Sequence, residues 1–499
     1  MKQPQKKAIV IGSGIGGLCT AARLLAAGYQ VTVYEKEDQV GGRANRLVKQ
    51  GYTFDMGPTL LMMIDVLEQT FADCGKDFYD YIELLQLEPN YRVSYADGSS
   101  LTVSSNIARF GRELSKISPE APEQFYKFFA ITARIYRLAR ARFIDRNFDR
   151  VTDFISPSAG YKLLRDGGLM KLYNFVSKYF SDERLRMLFS FQSMYLGVSP
   201  YAAPAVYSVV SYMESGLGIW YPKGGMYQLS IALRKLVEDL GGVVHCNAPV
   251  GRILVEGKQV RGIELADGTR VEADIVVSNA DLAYTYQKLL QRHERPKFSD
   301  RRLNGLKQAS SALLFYWGVK DPLDDLLHHN VVFSRDFKQN LDQIFYQGKL
   351  PTDPAFYLYI PTKTDPDLAP KGRNVCYVLV PVPNLQAKID WEKGVEKIRE
   401  KVLKGIKQRY GLDLRDSIEV ESVFTPKDFE TKYNLVDGSA FGLSHYFFQS
   451  GYFRPHNVVR GIKGVYLVGA STYPGSGVPM VTLGAKLVVE RIMADAQTS

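Results

Sequence analysis

Residues 7–43 read KAIVIGSGIGGLCTAARLLAAGYQVTVYEKEDQVGGR, and no other stretch limits the fold as tightly. An apolar run, Ala8 to Ile11, has the character of a buried parallel strand. Gly12, Gly14 and Gly17 follow at G-x-G-x-x-G spacing. A helical segment, Leu18 to Ala27, stops at Gly28, and a second strand, Gln30 to Tyr34, runs into Glu35. Strand, glycines, helix, strand and acid in this order form a Rossmann-like βαβ unit for a nucleotide, so the fold class is α/β. Gly12 permits the tight turn, Gly14 lets backbone approach a pyrophosphate, and Gly17 lets the helix lie close on the sheet. The helix N-terminus presents N–H groups to the phosphates. Glu35 stands where an acid takes ribose hydroxyls and repels a 2′-phosphate, which favours FAD or NAD over NADP.

The chain has 499 residues, enough for two or three domains. Cys19, Cys74, Cys246 and Cys376 are far apart and form no C-x-x-C, so neither a disulfide framework nor a zinc site is expected. The six histidines show no metal-ligand spacing. The sequence starts almost directly in the first strand, which leaves no room for a signal peptide, and no apolar run approaches the ~20 residues of a membrane span. With 63 basic against 53 acidic residues the net charge is +10. Nucleic acid has no part in such a fold; the charge suits an anionic lipid surface or plain solubility.

Taken in order, residues 1–104 form the first nucleotide-binding segment, and Asp97-Gly98 marks a hairpin turn between Tyr91 and Val103. Residues 105–221 are helical and basic. The span Phe125 to Phe143 has an apolar stripe with Arg134, Arg137, Arg140 and Arg142 beside it, the pattern of a membrane-surface helix or of an ordinary solvated face. Helices are expected over Leu163 to Phe180 and Asp182 to Phe191. Tyr195, Tyr201, Tyr207 and Tyr212 then suit either a tunnel wall or packing. Residues 222–289 return to the first domain with a helix, Gln228 to Leu240, and a run of strands. Residues 290–454 mix strands (Ser311 to Val319, Phe356 to Ile360, Val375 to Val382) with a helix, Trp391 to Tyr410, as an α+β substrate segment. Residues 455–499 close the nucleotide-binding domain with a strand, a glycine-rich turn and a terminal helix.

Two strings narrow the family. Gly41-Gly42-Arg43 follows Glu35, and Gly57-Pro58-Thr59 follows soon after. Near the C-terminus stands GVYLVGASTYPGSGVPMVTLG, with Gly469, Gly477 and Val478 on the pattern. Together they resemble the bacterial-type phytoene desaturases, within the flavin amine oxidase and carotenoid desaturase superfamily. FDMGPT, GIWYPKGG, LHHNVVFS, YVLVPVPNL and FRPHN extend the likeness along the chain. The resemblance implies FAD, held in a domain of the glutathione-reductase/amine-oxidase type assembled from discontinuous segments. It places Arg43 along the pyrophosphate, where a guanidinium fork fits, and Val250 on the adenine side. It also implies a second domain over a hydrophobic channel and attachment to one membrane leaflet; with cysteine usage pointing to a reducing compartment, the expected place is peripheral, on the cytoplasmic side, with quinone or oxygen as the expected final electron acceptor. Tyr473 departs from the pattern: the family usually has His, Gln or Thr there, close to the flavin.

The implied reaction removes hydride and proton from an allylic C–C unit of a carotene. Glu214 matches a glutamate common in the family and is the candidate proton acceptor, although a buried structural acid would look the same in sequence. His328-His329 is expected to be structural. Other readings are a C30 diapophytoene or later-step carotenoid desaturase, a carotenoid isomerase or oxidase, a flavin amine oxidase, and a non-catalytic flavin-holding scaffold.

Overall fold

The computed structural model describes residues 5–154, 156–295 and 298–498; the leading residues 1–4 lie outside the described residues. Its organising layer is a five-stranded parallel sheet in the order Val465–Leu467, Ile275–Ser278, Lys7–Ile11, Gln30–Tyr34, Val243–His245. Side chains alternate across it. Ala8 and Val10 join a core with the helices Ile15–Ala26, Tyr227–Asp239 and Val478–Thr498. Ile9 and Ile11 face the other way, onto a three-stranded antiparallel sheet through Ile253, Val260 and Ile263. Both faces are covered, which is why the strands read as continuous apolar runs.

The first helix starts at Ile15, three residues before its expected start at Leu18. The reason is local: the Leu18 N–H already donates to the Gly14 carbonyl at 3.0 Å. Gly28, at φ +89°, ends the helix as expected.

A second, seven-stranded sheet runs in the order Ile418–Phe424, Ser311–Val319, Asn374–Val382, Phe356–Tyr359, His329–Val332, Tyr91–Ser94, Ser100–Val103. The Tyr91–Val103 hairpin forms as expected, with Gly98 at φ +85°, but it belongs to this sheet and not to the nucleotide-binding one. Strands His329–Val332 and Ile418–Phe424 were not legible in the sequence, because each is short or interrupted by charge. One face of this sheet packs Leu313, Phe315, Trp317, Val378 and Val380 against Ile398, Val402 and Ile406 of the helix Trp391–Tyr410.

The helical segment differs from expectation in two places. The helix expected over Asp182 to Phe191 spans only Glu183–Leu188. Leu163 to Phe180 is two short helices, Pro157–Arg165 and Leu172–Val176, parted at Gly167 with φ +78°. The basic helix is Ala121–Ala139, continued by a π turn, Arg140–Ile144. Arg134, Arg137 and Arg142 are exposed along it. Arg140 is half-buried between Asp65 and Asp145, at 3.0 and 2.7 Å. Among the described residues no helix is long and apolar enough to cross a membrane, and no His/Cys/Asp/Glu group is arranged to hold a metal.

Candidate active site

A cavity of about 510 Å³ lies between the two sheets and has two chemically distinct walls. On the first wall the structure brings together Gly12, Gly14, Glu35, Gly42, Arg43, Gly57, Pro58, Thr59, Val250, Gly469, Gly477 and Val478. These residues come from widely separated parts of the chain. Gly17 is not on the wall. A Cβ there would sit 2.2 Å from the Gly12 carbonyl oxygen, so its task is close helix-to-turn packing.

Backbone proximity explains several of the other glycines. A Cβ on Gly57 would lie 2.1 Å from the Arg43 carbonyl oxygen, so the Gly57–Thr59 turn can seat on the Gly42-Arg43 backbone only with glycine. A Cβ on Gly42 would be 3.4 Å from the Gly14 Cα, which brings the two glycine loops edge to edge. Gly477, at φ +103°, has nothing within 4 Å of a built Cβ; it faces open cavity at the start of the helix Val478–Thr498. The first-turn N–H groups of that helix have no helical acceptors.

Glu35 is buried, and three donors hold its carboxylate. The Ser13 N–H and hydroxyl donate to Oε2 at 2.8 and 2.7 Å, and the Glu37 N–H donates to Oε1 at 3.1 Å. A carboxylate has about four acceptor positions, so capacity remains for a ribose hydroxyl. Arg43 spends Nη1 on the Ala440 carbonyl at 2.9 Å and keeps its other donors for the cavity. Burial pushes its pKa down and Asp281 opposes that. Sequence reasoning missed Asn279 as a side-chain contributor. Its Nδ2 donates to the Val468 carbonyl at 3.0 Å, and its Oδ1 lies 2.7 Å from where a Gly14 Cβ would be. It clamps the glycine turn, a role that exists only because strand Ile275–Ser278 pairs beside Lys7–Ile11.

The second wall is one face of the seven-stranded sheet, through Ala312, Leu314, Tyr357, Tyr377 and Leu379, closed by Phe337 and Tyr195. Among the described residues, the charged ones lining the cavity are Glu35, Lys36, Glu37, Arg43 and Asp281, and all belong to the first wall. Of the four tyrosines Tyr195, Tyr201, Tyr207 and Tyr212, Tyr195 alone lines the cavity. Tyr201, Tyr207 and Tyr212 pack against Tyr173, His445 and Phe129 respectively.

Residues 15–493 match the profile of a family described as flavin containing amine oxidoreductase. The chain belongs to that family. It is 43% identical over 490 residues to the zeta-carotene-forming phytoene desaturase of Myxococcus xanthus, covering 98% of this chain and 94% of that protein. It is 40% identical over 499 residues to the 4,4′-diapophytoene desaturase (4,4′-diaponeurosporene-forming) of Staphylococcus haemolyticus, covering 98% and 99%. Among solved structures it is similar to an oxidoreductase from Methanosarcina mazei, with a TM-score of 0.66, 20% identity, and coverage of 97% and 100%. It is also similar to putrescine oxidase bound to putrescine, with a TM-score of 0.63, 15% identity, and coverage of 99% of each chain. At those identities the structural likeness is one of fold.

The enzyme is a flavin-dependent oxidoreductase, and the first wall fits FAD. Glu35 offers acceptors for the adenosine ribose, the glycine loops leave backbone bare for the pyrophosphate, Arg43 supplies a fixed cation, and Gly477 leaves open space before a helix N-terminus.

Two sequence candidates sit off the walls of this flavoenzyme. Glu214 is 1% exposed and does not line the cavity. Its Oε2 accepts from the Tyr91 hydroxyl at 2.9 Å and from Gln192 Nε2 at 3.0 Å, while Oε1 has no partner. Burial raises its pKa to about 7, against the lowering effect of those hydrogen bonds. Tyr195 stands nearby, and the Glu214 charge adds to burial in raising its phenol. Tyr473 is buried against Phe148, ring centroids 5.8 Å apart, and is itself off the cavity wall, although Thr472 and Ser476 are on it.

Proposed function

We propose that this flavoenzyme is an FAD-dependent carotenoid desaturase of the phytoene desaturase type, which extends the conjugation of a carotene. One observation carries the reading within the family: among the described residues, the cavity wall formed by the seven-stranded sheet has no charged side chain. A cationic amine would find no anionic partner on that wall. A hydrocarbon needs only shape and apolar contact. The relatives named phytoene desaturase and diapophytoene desaturase support the same reading and keep both C40 and C30 carotenes as substrates.

Bound FAD supplies two-electron oxidation, as acceptor of a hydride from an allylic carbon. The remaining work belongs to the protein. The first wall fixes the cofactor through Glu35, Arg43 and the glycine loops. Leu314, Leu379 and Tyr377 hold the polyene by van der Waals contact and exclude water from the carbon that becomes electron-deficient. The FAD-binding domain takes segments 1–104, 222–289 and 455–499, less the 91–103 hairpin, and the rest forms the substrate domain. The protein attaches peripherally to the cytoplasmic side of a membrane, from which so apolar a substrate is drawn, and passes its electrons to a quinone or oxygen.

The test is anaerobic. FAD-loaded protein is mixed with phytoene in anionic liposomes and followed by absorption. Bleaching of the flavin with new long-wavelength polyene bands is the expected outcome, and the band positions count the double bonds added. Absence of bleaching with phytoene and diapophytoene alike overturns the reading. A spectral shift of a carotene only with pre-reduced flavin makes the enzyme an isomerase instead.

A further inference from the structure

Where the two walls meet, a buried polar cluster backs the cavity, and neither flavin binding nor hydrocarbon packing accounts for it. Thr59 lines the cavity from the first wall and Tyr357 from the second. The Tyr357 hydroxyl lies 2.9 Å from Thr59 Oγ1 and 2.7 Å from Nδ1 of His329, and its single proton turns to one or the other. His329 is 1% exposed, and its Nε2 has no hydrogen-bond partner among the described residues. The His328 ring lies 4.5 Å away, and its Nδ1 is 2.6 Å from the hydroxyl of half-buried Thr364. A tyrosine that lines the substrate space and whose hydroxyl meets a buried imidazole has the form of a proton relay.

We propose that Tyr357 receives the proton lost in each desaturation and passes its own to His329. The inference rests on the desaturase reading. One C–H bond gives up its hydride, with both electrons, to the flavin. The neighbouring C–H bond breaks in the same step, its electron pair forms the new C=C bond, and its proton goes to the Tyr357 oxygen. The Tyr357 O–H proton moves to His329 Nδ1 in the same motion, so the phenol ends neutral and the imidazole gains one proton. Tyr357 is the catalytic residue, and His329 acts through it as a positioning residue and first proton store.

The surroundings suit a transient store. His329 is faced by His328, by Tyr357, and by Tyr359, stacked at 5.4 Å, whose hydroxyl donates to Asp55 Oδ2 at 2.8 Å. On the far side of His328 lies Tyr221, which donates to Asp365 at 3.1 Å. Burial pushes both imidazoles well below the ordinary histidine value, so the resting pair is neutral and a proton placed on it is held weakly. The proton is therefore held only briefly on His329. Glu214 is the rival acceptor. It stands off the cavity wall behind Tyr195, whereas the hydroxyl of Tyr357 is hydrogen-bonded to the very turn that the cofactor wall presents.

Anaerobic stopped-flow reduction of the flavin in the holoenzyme, with phytoene in liposomes, tests the relay. Tyr357→Phe keeps the ring and is expected to slow flavin reduction by about 10²-fold or more, with unchanged flavin content and substrate affinity. The solvent deuterium isotope effect of the parent enzyme disappears in this variant. His329→Ala slows the same step, and added imidazole restores part of the rate. In the resting holoenzyme, ¹⁵N spectra of labelled histidines show the His329 Nδ1 signal moving in Tyr357→Phe. Parent-like reduction by Tyr357→Phe overturns the proposal. So does a loss that follows Glu214→Gln and not the relay variants. If His329→Ala does not retain flavin, Tyr357→Phe decides alone. A parent enzyme that oxidises no carotene fails the desaturase reading and the relay with it; an active parent with an unaffected Tyr357→Phe fails only the relay.

Discussion

Glu214 shows how far burial governs a single side chain. Its carboxyl is raised from 4.5 to about 7, first by burial, with the hydrogen bonds from Gln192 and Tyr91 pulling the other way. The folded state therefore holds this proton more tightly than the unfolded chain does. Between pH 4.5 and 7 the native protein binds more protons than the denatured one, so stability from this group is complete below 4.5 and is lost as pH rises through 7. The size is on the order of 3 kcal/mol. Asp55, raised to about 6 by burial, adds a slope of the same sign at lower pH. Urea unfolding of Glu214→Gln and of the parent holoenzyme at pH 5 and 7.5 is expected to show a flatter dependence in the variant. Parallel dependences would mean that Glu214 titrates as an exposed acid does. Sequence alone marked this glutamate but not its setting, because its partners Tyr91 and Gln192 come from other elements.

The strand Ser311–Val319 divides its two jobs between its two faces. Leu313 packs against the helix Trp391–Tyr410, while Leu314, one residue on, lines the cavity. Leu313→Ala is expected to cost about 2–5 kcal/mol of stability and to leave the substrate dissociation constant unchanged. Leu314→Phe should keep the stability within about 1–3 kcal/mol and shift the preference between C30 and C40 carotenes. Thermal unfolding and flavin-reduction titrations on both variants separate the two effects, and the same response from both would contradict this register. The strand itself was legible from its apolar run, with the exact bounds seen in the structure. Which face meets the cavity was not, since every residue along it is buried and the run shows no alternation.

The molecule as a whole carries a net charge of +10 and presents Arg134, Arg137 and Arg142 along one helical segment. Arg137→Glu with Arg142→Glu is expected to weaken binding to anionic vesicles by roughly 10-fold or more, at about 1 kcal/mol per basic residue. Arg140→Gln should matter little, because Asp65 and Asp145 already neutralise that side chain. Unchanged co-sedimentation of the double variant would make this an ordinary solvated face. By itself the sequence determined the nucleotide-binding unit, because strand, glycine turn, helix and acid lie within 37 contiguous residues and their geometry is set by local backbone preference. It also marked the remaining glycine loops, whose need for bare backbone is written in residue identity. Only the tertiary structure decided the second wall, the off-wall place of Glu214, the Asn279 clamp and the Thr59–Tyr357–His329 cluster. Thr59 and Tyr357 are 298 residues apart; their contact depends on strand order and register, which arise from burial of the whole core rather than from any local pattern.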